Sequence, residues 1–135
     1  MAEGNKLFHL EIITPERIFY QGEAGMIEFT AEDGDIGVYP GHIPLTTVIA
    51  PGILTIREPE GEKQAALMAG FAQILPDKVT ILAETVEWPE EIDPKRAEAA
   101  RERAEERIHK RAAGTDVARA EIALKRALVR LNVRG

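Results

Sequence analysis

The sequence predicts two modules of different class: an all-β sandwich or flattened barrel over residues 1–88, then an antiparallel αα-hairpin over residues 89–135. Three observations carry this. All seven aromatics (Phe8, Phe19, Tyr20, Phe29, Tyr39, Phe71, Trp88) and most of the Gly and Pro lie in the first module, whereas the second is rich in Ala, Arg and Glu. The charge divides at the same place: residues 1–88 hold 5 Lys and Arg against 14 Asp and Glu, and residues 89–135 hold 12 against 9. The hydrophobic pattern also changes there, from short runs between turns to helical spacing.

Within the first module, apolar stretches recur every eight to ten residues: Leu7–Ile13, Arg17–Tyr20, Gly25–Phe29, Ile36–Tyr39, Thr46–Ile49, Ile53–Arg57, Ala65–Ala69, Phe71–Leu75 and Val79–Ala83. Turn residues punctuate them, among them Thr14-Pro15, Gly34-Asp35, Pro40-Gly41, Pro51-Gly52, Glu60-Gly61 and Pro76-Asp77. Short strands at this spacing indicate a sandwich or flattened barrel rather than a parallel sheet. In the first strand Phe8, Leu10 and Ile12 face one side, His9 and Glu11 the other. A module of this length buries only a thin core, which a partner would supplement.

Ile92-Asp93-Pro94 opens the first helix. Asp93 caps free amides, and Pro94 at the first helical position loses no needed hydrogen bond. That helix is expected to run to about Ala112, where Gly114 ends it and Thr115 or Asp116 caps a second helix over about Val117–Asn132. So short a connection makes the two antiparallel neighbours. On the first helix Ala97, Ala104 and Ile108 form a narrow seam beside a stripe of Arg96, Arg103, Arg107 and Arg111. On the second, Val117, Ala120, Leu124, Ala127, Leu128 and Leu131 form the main seam, and Arg119, Arg126 and Arg130 a stripe. A further line of Ile122, Val129 and Val133 exceeds what one hairpin interface buries, so the hairpin is expected to pack on something else.

Two readings of the arginine stripes stay open on pattern alone. In one they are solvated and neutralised by neighbouring acids, such as Glu98 with Arg101, Glu106 with Lys110 and Glu121 with Lys125. In the other they form an anion site, because guanidinium forks clamp phosphate bidentately.

Composition excludes several classes. A hydrophobic fraction of 44% with 30% charged residues argues against wholesale disorder. No apolar run approaches the roughly 20 residues of a membrane-spanning helix, and the first residues lack the pattern of a secretory or transit signal. Without cysteine there is no disulfide, thiol nucleophile or zinc–thiolate site. His9, His42 and His109 share no metal-ligand spacing, and the chain contains no serine. Asp33 and Asp35 are turn formers before they are catalysts. Gly34-Asp35-Ile36-Gly37 lacks the Gly-Lys-Ser/Thr and helix of a phosphate loop. No aromatic accompanies the arginine stripes, so nucleic acid is not an expected partner.

The run Gly34-Asp35-Ile36-Gly37-Val38-Tyr39-Pro40-Gly41-His42-Ile43-Pro44-Leu45 resembles a loop of the epsilon subunits of bacterial F-type ATP synthases. Thr14-Pro15-Glu16, Pro51-Gly52 and Val79–Ala83 follow the same family pattern in order. Ile92-Asp93-Pro94-Lys95-Arg96-Ala97 resembles the family's Ile/Leu-Asp-x-x-Arg-Ala element, and Glu121–Leu131 its second helix.

The resemblance implies a non-catalytic rotor subunit at the cytoplasmic face of the bacterial cell membrane, peripheral to it. Its sandwich would bind the gamma subunit and sit on the c-ring. Its mobile hairpin would fold on the sandwich, or extend into the alpha/beta catalytic head and inhibit ATP hydrolysis. Asp35 and His42 correspond to positions at the c-ring and gamma contacts; read from the residues alone they are a turn aspartate and a loop-packing histidine. The resemblance requires no cofactor, but in some members the folded hairpin binds one regulatory ATP. The matching positions here are Glu87, Ile92, Asp93, Arg96, Ala97, Arg103, Arg126 and Arg130. A free-standing ATP-binding sensor and an Arg-rich adaptor for acidic partners are the alternatives, and neither needs the Asp35–Leu45 loop.

Two departures stand out. Met68-Ala69-Gly70-Phe71 replaces the family's usual Ser-Gly-Gly before an apolar residue, which puts close backbone packing there in question. Trp88-Pro89 at the module junction is unusual, and would pin the hinge.

Overall fold

The computed structural model describes residues 6–110, 114 and 116–133. Eight strands precede two helices: β1 Phe8–Ile13, β2 Ile18–Ala24, β3 Met26–Ala31, β4 Gly34–Val38, β5 Leu45–Ile49, β6 Gly52–Glu58, β7 Gly61–Ile74 and β8 Lys78–Glu87. A 3-10 turn, Pro89–Glu91, leads into α1 Pro94–Lys110 and α2 Val117–Asn132. The sandwich and the hairpin are both present, in the expected order. The expected helix end near Ala112, Arg111 of the stripe and the alternative cap Thr115 lie outside the described residues.

Strand alternation builds the core as expected. Phe8, Leu10 and Ile12 are buried, and they join Ile27, Phe29, Leu54, Ile56, Leu67, Ile74 and Ile81 in one cluster between the layers. The strands run in the order β2-β1-β8-β7-β5-β3-β4, and β6 bridges β7 to β3. Because β6 pairs one half of β7 and β5 the other, and both also pair β3, the sheet folds back on itself as a flattened barrel.

Two features differ from expectation. The pairing of β1 with β8 is parallel, Ile12 opposite Ile81, in an otherwise antiparallel fold. Parallel neighbours need a long connection, and here the intervening six strands supply it. The stretches Ala65–Ala69 and Phe71–Leu75 are also halves of one strand, β7, with register shifts at Ala69 and Gly70 instead of a turn between them. Gly70 has φ 139°, and a Cβ there would stand 2.0 Å from the Leu82 carbonyl oxygen. The close backbone approach that Ala69 put in question is therefore present one residue later.

The helices are capped as their sequence requires. The Asp93 carboxylate accepts from the Lys95 N–H at 3.0 Å and the Arg96 N–H at 3.4 Å. Asp116 accepts from the Arg119 N–H at 3.0 Å, and Gly114 has φ 86°. Ala97 and Ala104 of α1 pack against Ala120 and Ala127 of α2, all four buried, so small side chains set a close hairpin seam. The hairpin's second apolar line does pack elsewhere: Val129 meets Ala66 and Met68 on the outer face of β7, with Ile53, Ile92 and Val133 around them. Ile122 remains exposed.

Candidate functional site

The junction of the two modules places an acidic strand end against an arginine-bearing helix pair. Glu87 ends β8, Glu91 ends the 3-10 turn, and Asp93 precedes α1. One helical turn after Asp93 come Arg96 and Ala97, then Ala100 and Arg103 on the same face, because i, i+3, i+4 and i+7 share a side. Arg130 reaches in from α2. Glu87, Glu91, Ile92, Asp93, Arg96, Ala97, Ala100, Arg103 and Arg130 together border a cavity of about 250 Å³. Seven of the eight positions suggested by the family resemblance thus surround one space.

The eighth, Arg126, lies a turn before Arg130 in α2 and lines a separate concavity toward the hairpin tip with Arg107 and Arg119. Its Nε is buried without a hydrogen-bond partner among the described residues.

The two readings of the arginines now separate residue by residue. Arg101 pairs with Glu98 and, at 2.5 Å, with Glu105; Lys110 pairs with Glu106 at 2.6 Å. Those are solvated ion pairs of the kind expected on an exposed helix, and among the described residues Glu121 and Lys125 do not form one. At the cavity, Arg130 Nε donates to Glu87 at 2.7 Å, with both side chains about 70% covered, and this joins α2 to the sandwich. Arg96 and Arg103 form no ion pair among the described residues, and their guanidinium groups are exposed beside the cavity. Glu91 is held below the usual carboxylate range, first by the hydrogen bond from the Trp88 N–H and then by Arg17.

Asp35 and His42 lie elsewhere and apart from each other. Asp35 is the second residue of β4, just past the turn at Glu32-Asp33. It accepts from Thr30 Oγ1 at 2.9 Å and borders a cleft of about 450 Å³ that Lys125, Leu128 and Asn132 of α2 overhang. His42 is half-buried four residues beyond the end of β4, its Nδ1 donating to the Ile43 carbonyl at 2.6 Å. Its loop is tied to the β7–β8 turn by the Gly41 N–H to Pro76 O bond of 2.7 Å. Tyr39 and Ile43 beside it are 57% and 78% exposed. Among the described residues no group of three or more His, Asp or Glu is placed to hold a metal ion.

Sequence reasoning missed a surface on the sandwich. Val48 pairs across to Phe71, Phe71 to Leu82, Leu82 to Ile13 and Ile13 to Ile18, so these five side chains form a row over five strands. Val48, Phe71, Leu82 and Ile18 are 38%, 55%, 52% and 58% exposed. The signal was present in the alternation: Phe71 and Leu82 are out of phase with the core residues Ala72 and Ile81.

Residues 7–89 match the family pattern of the ATP synthase delta/epsilon chain β-sandwich domain, and residues 90–135 that of its long α-helix domain. The chain belongs to the ATP synthase delta/epsilon chain family. Relatives agree along nearly the full length. The ATP synthase epsilon chain of Caldanaerobacter subterraneus subsp. tengcongensis is 48% identical over 96% of this chain and 94% of its own. That of Moorella thermoacetica is 48% identical over 94% and 96% respectively. Among solved structures, a chain of the Euglena gracilis mitochondrial ATP synthase OSCP/F1/c-ring assembly superposes with a TM-score of 0.78 at 25% identity, covering 88% of this chain and 76% of that one. A Tetrahymena thermophila central stalk/c-ring chain shares the fold, with a TM-score of 0.56 at 13% identity over 95% and 93% of the two chains. The delta/epsilon family boundary at residue 89 falls one residue after Trp88.

Proposed function

We propose that this chain is the non-catalytic rotor-stalk subunit of an F-type ATP synthase, docking on gamma and the c-ring through its sandwich and carrying a regulatory arm in its hairpin. The row Val48–Phe71–Leu82–Ile13–Ile18 carries the docking reading. Scattered exposed apolar residues need no explanation, but a contiguous band across five strands is a surface for a partner. A free-standing ATP sensor would leave that band wet.

The arm reading rests on how little holds the hairpin to the sandwich. Among the described residues Ala66, Met68 and Val129 are the buried members of that contact, against a sandwich core of more than twenty residues, and the Glu87–Arg130 pair adds a polar tie. Modules joined by so small a contact move relative to each other by default. When α2 leaves, Ala66 and Met68 extend the apolar surface of β7 on which Phe71 already lies.

The cavity at the junction suits a regulatory ATP. Arg96 and Arg103, which form no ion pair among the described residues, offer guanidinium forks to the phosphates, and Arg130 stands across from them. A ligand bound only in the folded state stabilises it by mass action, so ATP would hold the arm down without being hydrolysed.

Two measurements test this. Gamma should copurify with the full chain and be lost from the Phe71→Asp/Leu82→Asp variant; wild-type retention of gamma would remove the row from the interface. Calorimetric titration should show ATP binding in preference to ADP, weakened about 10- to 100-fold by Arg103→Ala. No ATP binding would leave the rotor role standing and remove the nucleotide from the arm.

A further inference from the structure

We propose that residues 88–91 belong mechanically to the sandwich, and that the arm turns about Ile92, past the boundary that composition and family pattern suggest. The inference rests on the mobile-arm reading above and says where the motion occurs.

Trp88 follows the last strand and lies on the sandwich. Its ring stacks on Phe19 of β2 at a centroid distance of 4.3 Å and 21° between planes, and meets Tyr20 edge-on at 6.3 Å. Lys63 of β7 places Nζ 5.9 Å from the Trp88 ring and 5.8 Å from the Tyr20 ring. The Tyr20 hydroxyl in turn donates to Glu58 at 2.5 Å. The 3-10 turn is tied down by its last residue. Glu91 accepts the Trp88 N–H at 2.8 Å and pairs with Arg17 Nη2 at 2.8 Å, while the Arg17 guanidinium lies 5.1 Å from the centre of Phe19. The Glu91 N–H closes back on the Trp88 carbonyl at 3.0 Å. The clamp therefore spans both ends of the segment and is anchored on β2 and on the β6–β7 hairpin.

Four residues later the allegiance changes. Trp88 packs against the sandwich core, whereas Ile92 packs against the small cluster of Ala66, Met68 and Val129 that docks the arm. Asp93 belongs to α1, because its carboxylate caps that helix. Pro94 further confines Asp93 to an extended backbone. Between clamp and cap stands Ile92, with φ −91° and ψ 133°. Its N–H closes on the Pro89 carbonyl at 3.2 Å, so it is held to the turn by one backbone hydrogen bond while its side chain packs with the arm. The candidate cavity straddles this point, with Glu87 and Glu91 on the fixed side and Arg96, Arg103 and Arg130 on the moving side. An anion bridging the two sides would lock the pivot directly.

The full chain supplies its own reporter, since Trp88 is its one tryptophan and the absence of cysteine permits clean labelling. A dye pair on Glu60→Cys and Glu121→Cys reports arm position, and acrylamide quenching of Trp88 reports the clamp. Val129→Asp should release the arm and lengthen the dye separation while Trp88 quenching stays within about 20% of the parent. A longer separation with Trp88 quenching raised to that of a free tryptophan would overturn the pivot but keep the mobile arm. An unchanged separation would overturn the mobile arm, and the pivot with it. Phe19→Ala, tested on the docked chain, should raise clamp opening by roughly 2- to 10-fold; unchanged quenching would show that the stack does not hold Trp88.

Discussion

Gly70 shows how much one atom decides. Its backbone lies in the left-handed half of conformational space, and a methyl group would meet the Leu82 carbonyl oxygen and the Ala83 Cα. Neither is the movable end of a side chain, so β7 and β8 would have to part. Gly70→Ala should cost about 2 kcal/mol or more in a urea titration, whereas Gly61→Ala, with open space around it, should cost only the strain of its φ of 153°. The arginines illustrate the same scale differently. Their type and spacing are alike along α1, yet Arg101 is committed to Glu98 and Glu105 while Arg103, two residues on, forms no ion pair among the described residues. Helical periodicity placed Arg96 and Arg103 on one side, and only the packing of α2 against β7 brought Arg130 to face them.

At the scale of elements, the junction turn is sensitive to pH through Glu91. Its carboxyl is held below the ordinary range in the folded chain, with the Trp88 N–H as the larger cause and Arg17 second. The ionised form therefore favours the clamp. That contribution is complete above the ordinary glutamate value of about 4.3 and is lost as pH falls through the lower folded value. Trp88 emission should hold steady from neutral pH down to about 4.3, then shift to the red. Glu91→Gln should show the shifted emission already at pH 7. The start of α1 and the bounds of α2 were legible in the sequence, because Asp93, Pro94 and Asp116 act through local backbone chemistry. The strands are legible as alternating runs, but β7 carries the pattern of two, because a glycine flanked by apolar runs has the local signature of a turn. Its actual role, letting two backbones approach within a bulge, depends on β8, which the local pattern does not contain.

At the scale of the whole molecule, stability is uneven by design of the packing: a sandwich with a continuous core carries a hairpin attached by a few side chains. Met68 is buried chiefly where α2 covers it, so Met68→Ala should weaken arm docking by about 1–2 kcal/mol. The labelled chain should then show the detached arm about tenfold more often, with the urea midpoint of the sandwich little changed. An equal loss of sandwich stability would mean that Met68 belongs to the main core instead.

The sequence by itself determined the two modules, the helix caps, the hydrophobic faces and the resemblance that names the family. Each of these depends on neighbours within a turn or two, or on an ordered run of residues. Tertiary structure alone decided the parallel β1–β8 pairing, the apolar row from Val48 to Ile18, the gathering of Glu87, Arg96, Arg103 and Arg130, and the division of allegiance at Ile92. Those are contacts between residues tens of positions apart, and strand order and register, which no local periodicity encodes, bring them together.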